Sequence, residues 1–339
     1  MIDLNIIWFI LVGVLLTGYA ILDGFDLGVG ALHLLTKTDE ERRISINSIG
    51  PVWDGNEVWL VTAGGALFAA FPDVYATVFS GFYIAFMLLL FVLIFRAVAI
   101  EFRSKHTGKH WRNSWDIAFS VSSIIIALLM GVALGNIITG IPIGNDKEFA
   151  GTFLGLLKPF PLLIGITTIA LFMMHGAIYL VMKTDGKLQE KVKSWVNNTI
   201  IFFIICFVTA TMATLIYYPN MINHFKEYPV LFMIAILNML AIANIPREIH
   251  HGREFRAFLS SSASIALLLV LFAIGVFPNI VLSNPVFENS LNIYNSASSQ
   301  KTLGIMLIIA IIGMPFVIAY TIIIYKIYKG KVKLDEMSY

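Results

Sequence analysis

The sequence predicts an all-α integral membrane protein with nine transmembrane helices, arranged as two four-helix bundles plus one additional helix. Three observations carry that expectation. The 339-residue chain is 58% hydrophobic and only 13% charged, with a mean hydropathy of +0.83, whereas a soluble domain carries about twice that charged fraction. Apolar segments of membrane-spanning length recur along the whole chain. Lysine and arginine gather in alternate connections between them.

Taken in order, the apolar segments fall at roughly 5–35, 55–71, 74–100, 114–136, 161–182, 195–218, 229–246, 257–279 and 303–328. Polar residues or Pro/Gly breaks bound each one, and the second and seventh are short. The first opens on "MIDLNIIWF", with no basic stretch before it and no small-residue cleavage site after it. It reads as a retained helix, not a signal peptide. Placing the amino terminus outside assigns "KTDEERR", "RSKHTGKHWR", "KTDGKLQEKVK", "REIHHGREFR" and "KIYKGKVK" to the cytoplasm. Those segments hold 18 of the 23 Lys and Arg residues, against Lys147, Lys158, Lys226 and Lys301 in the outer loops. The carboxyl terminus is then cytoplasmic as well.

The alternation of spans and basic loops runs once over 5–136 and again over 161–279. The expected organisation is a first four-helix unit over 1–140 and an outer connection over 141–160. A second unit follows over 161–279, then an outer loop over 280–302, and a ninth helix with a basic tail over 303–339. Acids inside the spans belong to the first unit. The lone cysteine, Cys206, lies in an apolar stretch and excludes a disulfide framework or thiol metal cluster. A net charge of +2 gives no reason to expect a nucleic-acid partner.

The chemistry-bearing residues begin with "LDGFDLGVG". Asp23 and Asp26 share a helix face three residues apart, on the cytoplasmic side of the midplane. Gly24, Gly28 and Ala31 lie roughly 140° around, and the Gly24/Gly28 spacing lets another helix approach closely. Two readings stand side by side: an acid pair neutralised by Arg96 or hydroxyls, and a proton or cation path, since ionisable groups at that depth are costly. In "VWDGNEVWL", Asp54 and Glu57 read either as a helix cap with its reciprocal partner or as carboxylates at the cytoplasmic mouth of the second span. Trp53 marks the interface there, and Asn56 and Asn47 add polar atoms. Arg96 either snorkels to the inner headgroups or pairs with Asp26 or Glu57. Asp116, two residues after Ser114, reads as helix-start electrostatics.

Of seven histidines, only His175 sits deep in an apolar span, so a bis-histidine haem site within this chain is not expected. An interhelical hydrogen bond is the expected role for His175. No Walker loop, dinucleotide fingerprint or nucleophile elbow is present. The residues alone leave a cation- or proton-coupled secondary transporter as an alternative.

"DGFDLGVG", "RRISINSIGPVWDGNEVWLVTAGGALFAAFP", "YATVFSGFY" and "FR…RSK…WRNSWD" resemble subunit II of the cytochrome bd quinol oxidase family, in a short, Gram-positive-type version. The similarity is dense over 1–140 and weaker beyond. One departure is Val52, where relatives carry His before Trp-Asp-Gly-Asn. The resemblance implies a respiratory membrane oxidase in which electrons from menaquinol or ubiquinol reduce O₂ to water. It implies that two haems b and one haem d sit in a partner, subunit I, against which this chain packs among the membrane lipids, often with a very small third subunit. Some members hold a quinone as a structural ligand. By motif position Asp54 becomes the intake carboxylate of a cytoplasmic proton path, with Asp23 and Glu57 along it. Asp26, Arg96, Asn56 and Trp53 are the supporting polar partners. Turnover would then be electrogenic without a pump.

Overall fold

The computed structural model describes residues 3–334 and 338–339. Its helices are α1 (Leu4–Leu32), α2 (Asp39–Ile49), α3 (Trp53–Ala70), α4 (Pro72–Gly81), α5 (Tyr83–Phe102), α6 (Lys109–Thr139), α7 (Pro159–Lys183), α8 (Gly186–Tyr217), α9 (Asn223–Glu227), α10 (Phe232–His250), α11 (Glu254–Val276) and α12 (Gln300–Ile327). Among the described residues, eight of these are long and apolar enough to cross a membrane: α1, α5, α6, α7, α8, α10, α11 and α12. The chain is a multi-pass, all-helical membrane protein. The short second span expected at 55–71 is α3, an 18-residue helix that carries Asp54 and Glu57 and falls outside those eight.

The expected third span, 74–100, is two helices. Pro72 begins α4, where its missing N–H costs nothing, and the chain breaks at Phe82 before α5 starts. The apolar run is unbroken across that point, so hydropathy alone could not reveal it. Gly81 at the break packs on the Phe149 ring, which a Cβ would approach to 2.8 Å.

Helix α1 is the axis of the fold. Asp3 caps it by accepting from the Asn5 N–H at 2.9 Å, and its 29 residues reach about 43 Å at 1.5 Å each. It packs against α3, α6, α7 and α11. Every residue from Asp23 to Gly30 is buried, because the inner half of α1 is enclosed on all sides. The closest approach is to α7: a Cβ on Gly28 would lie 1.8 Å from the Phe172 carbonyl oxygen, and one on Gly176 would lie 2.4 Å from the Gly28 carbonyl carbon. Only glycine permits backbones to touch in this way.

One core draws on both halves of the chain, with Phe25, Ile46 and Phe119 packed together with Tyr179, Phe203 and Ile245. A second apolar cluster closes the other end, around Trp8, Phe71, Ile141, Val281 and Ile293. There the short antiparallel pair β1 (Asn279–Val281) and β2 (Leu291–Asn292) lies beside the 141–158 connection. Helix α12 touches α1 and α3 and buries only Leu303.

The basic segments meet at one face of the molecule. Lys191 bonds Glu41 at 2.8 Å, Arg103 and Arg112 share Asp39, and Lys331 reaches Glu254 at 2.7 Å.

Candidate functional site

The intramembrane acids converge on Arg96. Its guanidinium, fully buried on α5, grips Asp23 with both terminal nitrogens, one of them at 2.9 Å from Oδ2. The same group lies 3.2 Å from Glu57 Oε1 and 3.9 Å from Asp26 Oδ2. Planar donors on a rigid fork suit this bidentate grip in a way a lysine could not. Arg96 does not snorkel: its side chain is 0% exposed. Its main partner is Asp23, beyond the expected Asp26 and Glu57.

Asp26 is held from another direction. Asn56 Nδ2 donates to Asp26 Oδ2 at 2.7 Å and to the Leu22 carbonyl at 3.1 Å. Tyr325, from α12, donates its hydroxyl proton to Asn56 Oδ1 at 3.0 Å. The cluster therefore joins α1, α3, α5 and α12. Asp26 Oδ1 and Arg96 Nε remain without a hydrogen-bond partner among the described residues, and Glu57 Oε1 has only its ion pair with Arg96.

Exposure is graded across the acids. Asp54 is exposed, the Glu57 side chain is 23% exposed, and Asp23 and Asp26 are fully buried. Asp54 and Glu57 are three residues apart and share one side of α3. Neither acts as the expected cap. The N-cap is Val52, without a side-chain bond, and Glu57 turns towards Arg96 instead of back to the helix start. Asp54 still sits in the first turn, where the helix dipole favours a negative charge. Trp53 is buried beside it.

A second charged cluster was not expected. Asp116 lies well inside α6, whose N-cap is Gly108, so neither Asp116 nor Ser114 marks a helix start. Asp116 is fully buried and accepts from Arg103 Nε at 2.5 Å and Arg42 at 2.7 Å, with His33 Nε2 at 2.7 Å. Arg103 and Arg112 continue to Asp39. The sequence hides this knot because its partners come from the residues that close α1 and α5 and from α2 and α6. A lone aspartate seven residues into an amphipathic helix was its only signal.

His175 makes an interhelical bridge. Its Nδ1 is 2.8 Å from the Ser261 hydroxyl on α11 and its Nε2 is 3.0 Å from the Ile21 carbonyl on α1, while its ring stacks on Phe258. Tyr325 was also missed, since nothing in the apolar run of α12 distinguishes a tyrosine facing Asn56 from one facing lipid.

Comparison with known proteins agrees along the whole chain. A family model described as cytochrome bd terminal oxidase subunit II matches residues 4–328. The cytochrome bd-I ubiquinol oxidase subunit 2 of Escherichia coli K12 is 36% identical over 366 aligned residues, covering 99% of this chain and 97% of the relative. The cytochrome bd ubiquinol oxidase subunit 2 of Bacillus subtilis 168 is 35% identical over 343, covering both chains completely. In fold, the chain is similar to the bd oxidase structure from Geobacillus thermodenitrificans, with a TM-score of 0.78 at 17% identity over 96% of this chain and 99% of that one.

Proposed function

The chain belongs to the cytochrome bd terminal oxidase subunit II family, and on that premise we propose that its acid cluster carries protons from the cytoplasm towards the site of O₂ reduction. As a component of a quinol oxidase complex it works with a subunit I, and the complex takes electrons from a quinol. Family membership displaces the transporter alternative.

One observation carries the proton reading: the carboxyl groups grade from exposed Asp54, one helical turn before half-buried Glu57, to buried Asp23 and Asp26, the last three around a single guanidinium. One cation balances one carboxylate, and burying further unpaired negative charge is costly. Protons or water must meet the remainder, which is the condition for a relay. Unpartnered donors and acceptors beside the buried acids supply bonding positions for water. Asp54 is the intake group, Glu57 the intermediate, and Asp23 the buried relay. Asp26, Asn56 and Arg96 hold the geometry, and Trp53 shields the mouth.

The topology proposed with it is nine spans, counting α3, with the amino terminus outside. The first unit, 1–140, carries the acids and the second, 161–279, braces it. Support comes from the 18 basic residues confined to one set of connections and from the mutual contacts of those segments. The exposed stripe of α3, Asp54, Gly55, Val58, Thr62, Gly65 and Phe68, is the side from which subunit I would receive the proton.

The family's complex contains haem, and this chain's buried histidines do not fit axial ligation. Both ring nitrogens of His175 and of His33 are already engaged. The haems are therefore assigned to subunit I, which this subunit stabilises. A cleft beneath the outer connection, lined by Phe82, Phe86, Leu89, Leu129 and Leu156, has only apolar side chains. It suits an acyl or isoprenoid tail and gives no side-chain hydrogen bond to a quinone carbonyl.

The test is Asp54→Asn in the assembled complex, reading haem content and O₂ uptake together. Full haem with uptake lowered by about ten-fold or more, the scale of a lost proton-transfer group, is expected. Near-normal uptake with full haem removes Asp54 from the route, and lost haem assigns it to assembly.

A further inference from the structure

Beyond α12 the chain turns back across the basic face. Lys331 Nζ bonds the Val181 carbonyl at 3.1 Å and Glu254 at 2.7 Å, and Val332 N–H donates to the Lys183 carbonyl at 2.8 Å. Tyr339 then docks on α2 and the start of α3. Asn47 pairs with its backbone in both directions, donating to the carbonyl and accepting from the N–H at 2.9 Å each. Arg43 donates to the carbonyls of Tyr339 and Ser338. The ring of Tyr339 lies flat enough on Gly50 that a Cβ there would meet it at 2.8 Å.

That docking sets the phenol at the mouth already described. The Tyr339 hydroxyl donates to Glu101 Oε1 at 2.7 Å, from the inner end of α5. Trp53 and Asp54 open α3 just after the Gly50 on which the ring rests. Burial first, then the bond to Glu101, pushes the Tyr339 phenol up to about 12, so it stays protonated and keeps donating at every working pH. The charged groups facing this spot are Arg43 from α2, Asp54 from α3 and Glu101 from α5. Arg43 is turned to the main-chain oxygens of Ser338 and Tyr339, not to Glu101 or Asp54.

We infer that Glu101, held in place by Tyr339, is an accessory proton-collecting group for the intake at Asp54. The inference rests on the Asp54 reading above and extends it: Tyr339, docked against α2 and the start of α3, holds Glu101 at the end of α5 beside the turn that carries Asp54. Paired acids at a narrow mouth concentrate cations beside it. Tyr339 is a positioning residue that acts through Glu101. The collecting role matters most when protons are scarce.

The experiment compares Glu101→Gln, Tyr339→Phe and Asp54→Asn in assembled complexes, measuring haem content and O₂ uptake from pH 6 to pH 9, a range of about three decades in proton concentration. Glu101→Gln and Tyr339→Phe are expected to match the parent at the acid end and to fall about three-fold at the alkaline end, the order of one lost steering charge. Glu101→Asp is expected to restore the parent profile, which a merely structural role would not do selectively by pH. Profiles parallel to the parent for Glu101→Gln, or loss of haem in it, overturn the inference. If that happens while Asp54→Asn is slow at every pH, the intake reading survives alone. If Asp54→Asn is normal and Glu101→Gln keeps its alkaline loss, the intake reading falls and Glu101 is the collecting group in its own right.

Discussion

Two buried charge clusters, both anchored in the first half of the chain, use the same residue types to opposite ends. Around Arg96, three carboxyl groups face one guanidinium, and one of the buried carboxylate oxygens, Asp26 Oδ1, has no hydrogen-bond partner among the described residues. Around Asp116, three arginines and a histidine surround two carboxylates; both Asp116 oxygens are taken, and the buried atoms left over, Arg42 Nε and one Arg103 terminal nitrogen, are donors on cations. The acid-rich cluster opens at one end through Glu57 and Asp54. The cation-rich cluster sits among the basic connections and ties α1, α2, α5 and α6 together. On the proposed reading, the ratio of acids to cations, more than burial, separates a proton path from a staple.

The sharpest way to break that contrast is Arg96→Met. It leaves Asp23 buried without its partner, at a cost of about 3–5 kcal/mol. The complex is expected to lose haem and O₂ uptake together, measured on membranes from cells making the variant. A complex that kept both would show that Arg96 is dispensable to the cluster. Next is Asp116→Asn, which leaves Arg103 and Arg42 facing a neutral amide and costs about 3 kcal/mol. Here the expected result is a lower inactivation temperature, while uptake per haem in the surviving complex stays at the parent level. A fall in uptake per haem would erase the distinction between the clusters.

A smaller effect is expected from Tyr325→Phe, which removes one hydrogen bond to Asn56, worth about 1 kcal/mol. Inactivation temperature should drop slightly with haem content intact. Glu41 gives the smallest. Its partial burial disfavours ionisation, but Lys191 and the N–H groups of Lys37 and Thr38 outweigh this and hold the carboxyl below the usual range. A lowered folded value means the contribution is intact above about pH 4.3, the ordinary glutamate value. It is lost as the pH falls through the folded value. Glu41→Gln should therefore change stability by about 0.5 kcal/mol or less at neutral pH, with the difference vanishing in acid, as read by thermal inactivation across pH.

The contrast also marks how far the sequence was legible. Spans were visible because lipid demands long apolar runs. Asp23, Asp26, Asp54, Glu57 and Arg96 stood out because charge in such runs is rare. Pairings were hidden, since Arg96 meets Asp23 and Asp116 meets His33 across helices far apart in sequence. Asp54–Glu57 and Ser114–Asp116 mimicked caps because capping spacings are short and common. The break at Phe82 lay inside an unbroken apolar run, and Tyr325 looked like any tyrosine on a lipid-facing helix.

The most direct test is proton uptake during a single turnover with O₂, measured with a pH dye on the cytoplasmic side of oriented vesicles. Asp54→Asn and Asp116→Asn complexes of equal haem content would be compared. The expected result is uptake slowed by about ten-fold or more in Asp54→Asn and unchanged in Asp116→Asn. Equal uptake in the two variants would contradict the assignment of the proton route to the acid-rich cluster.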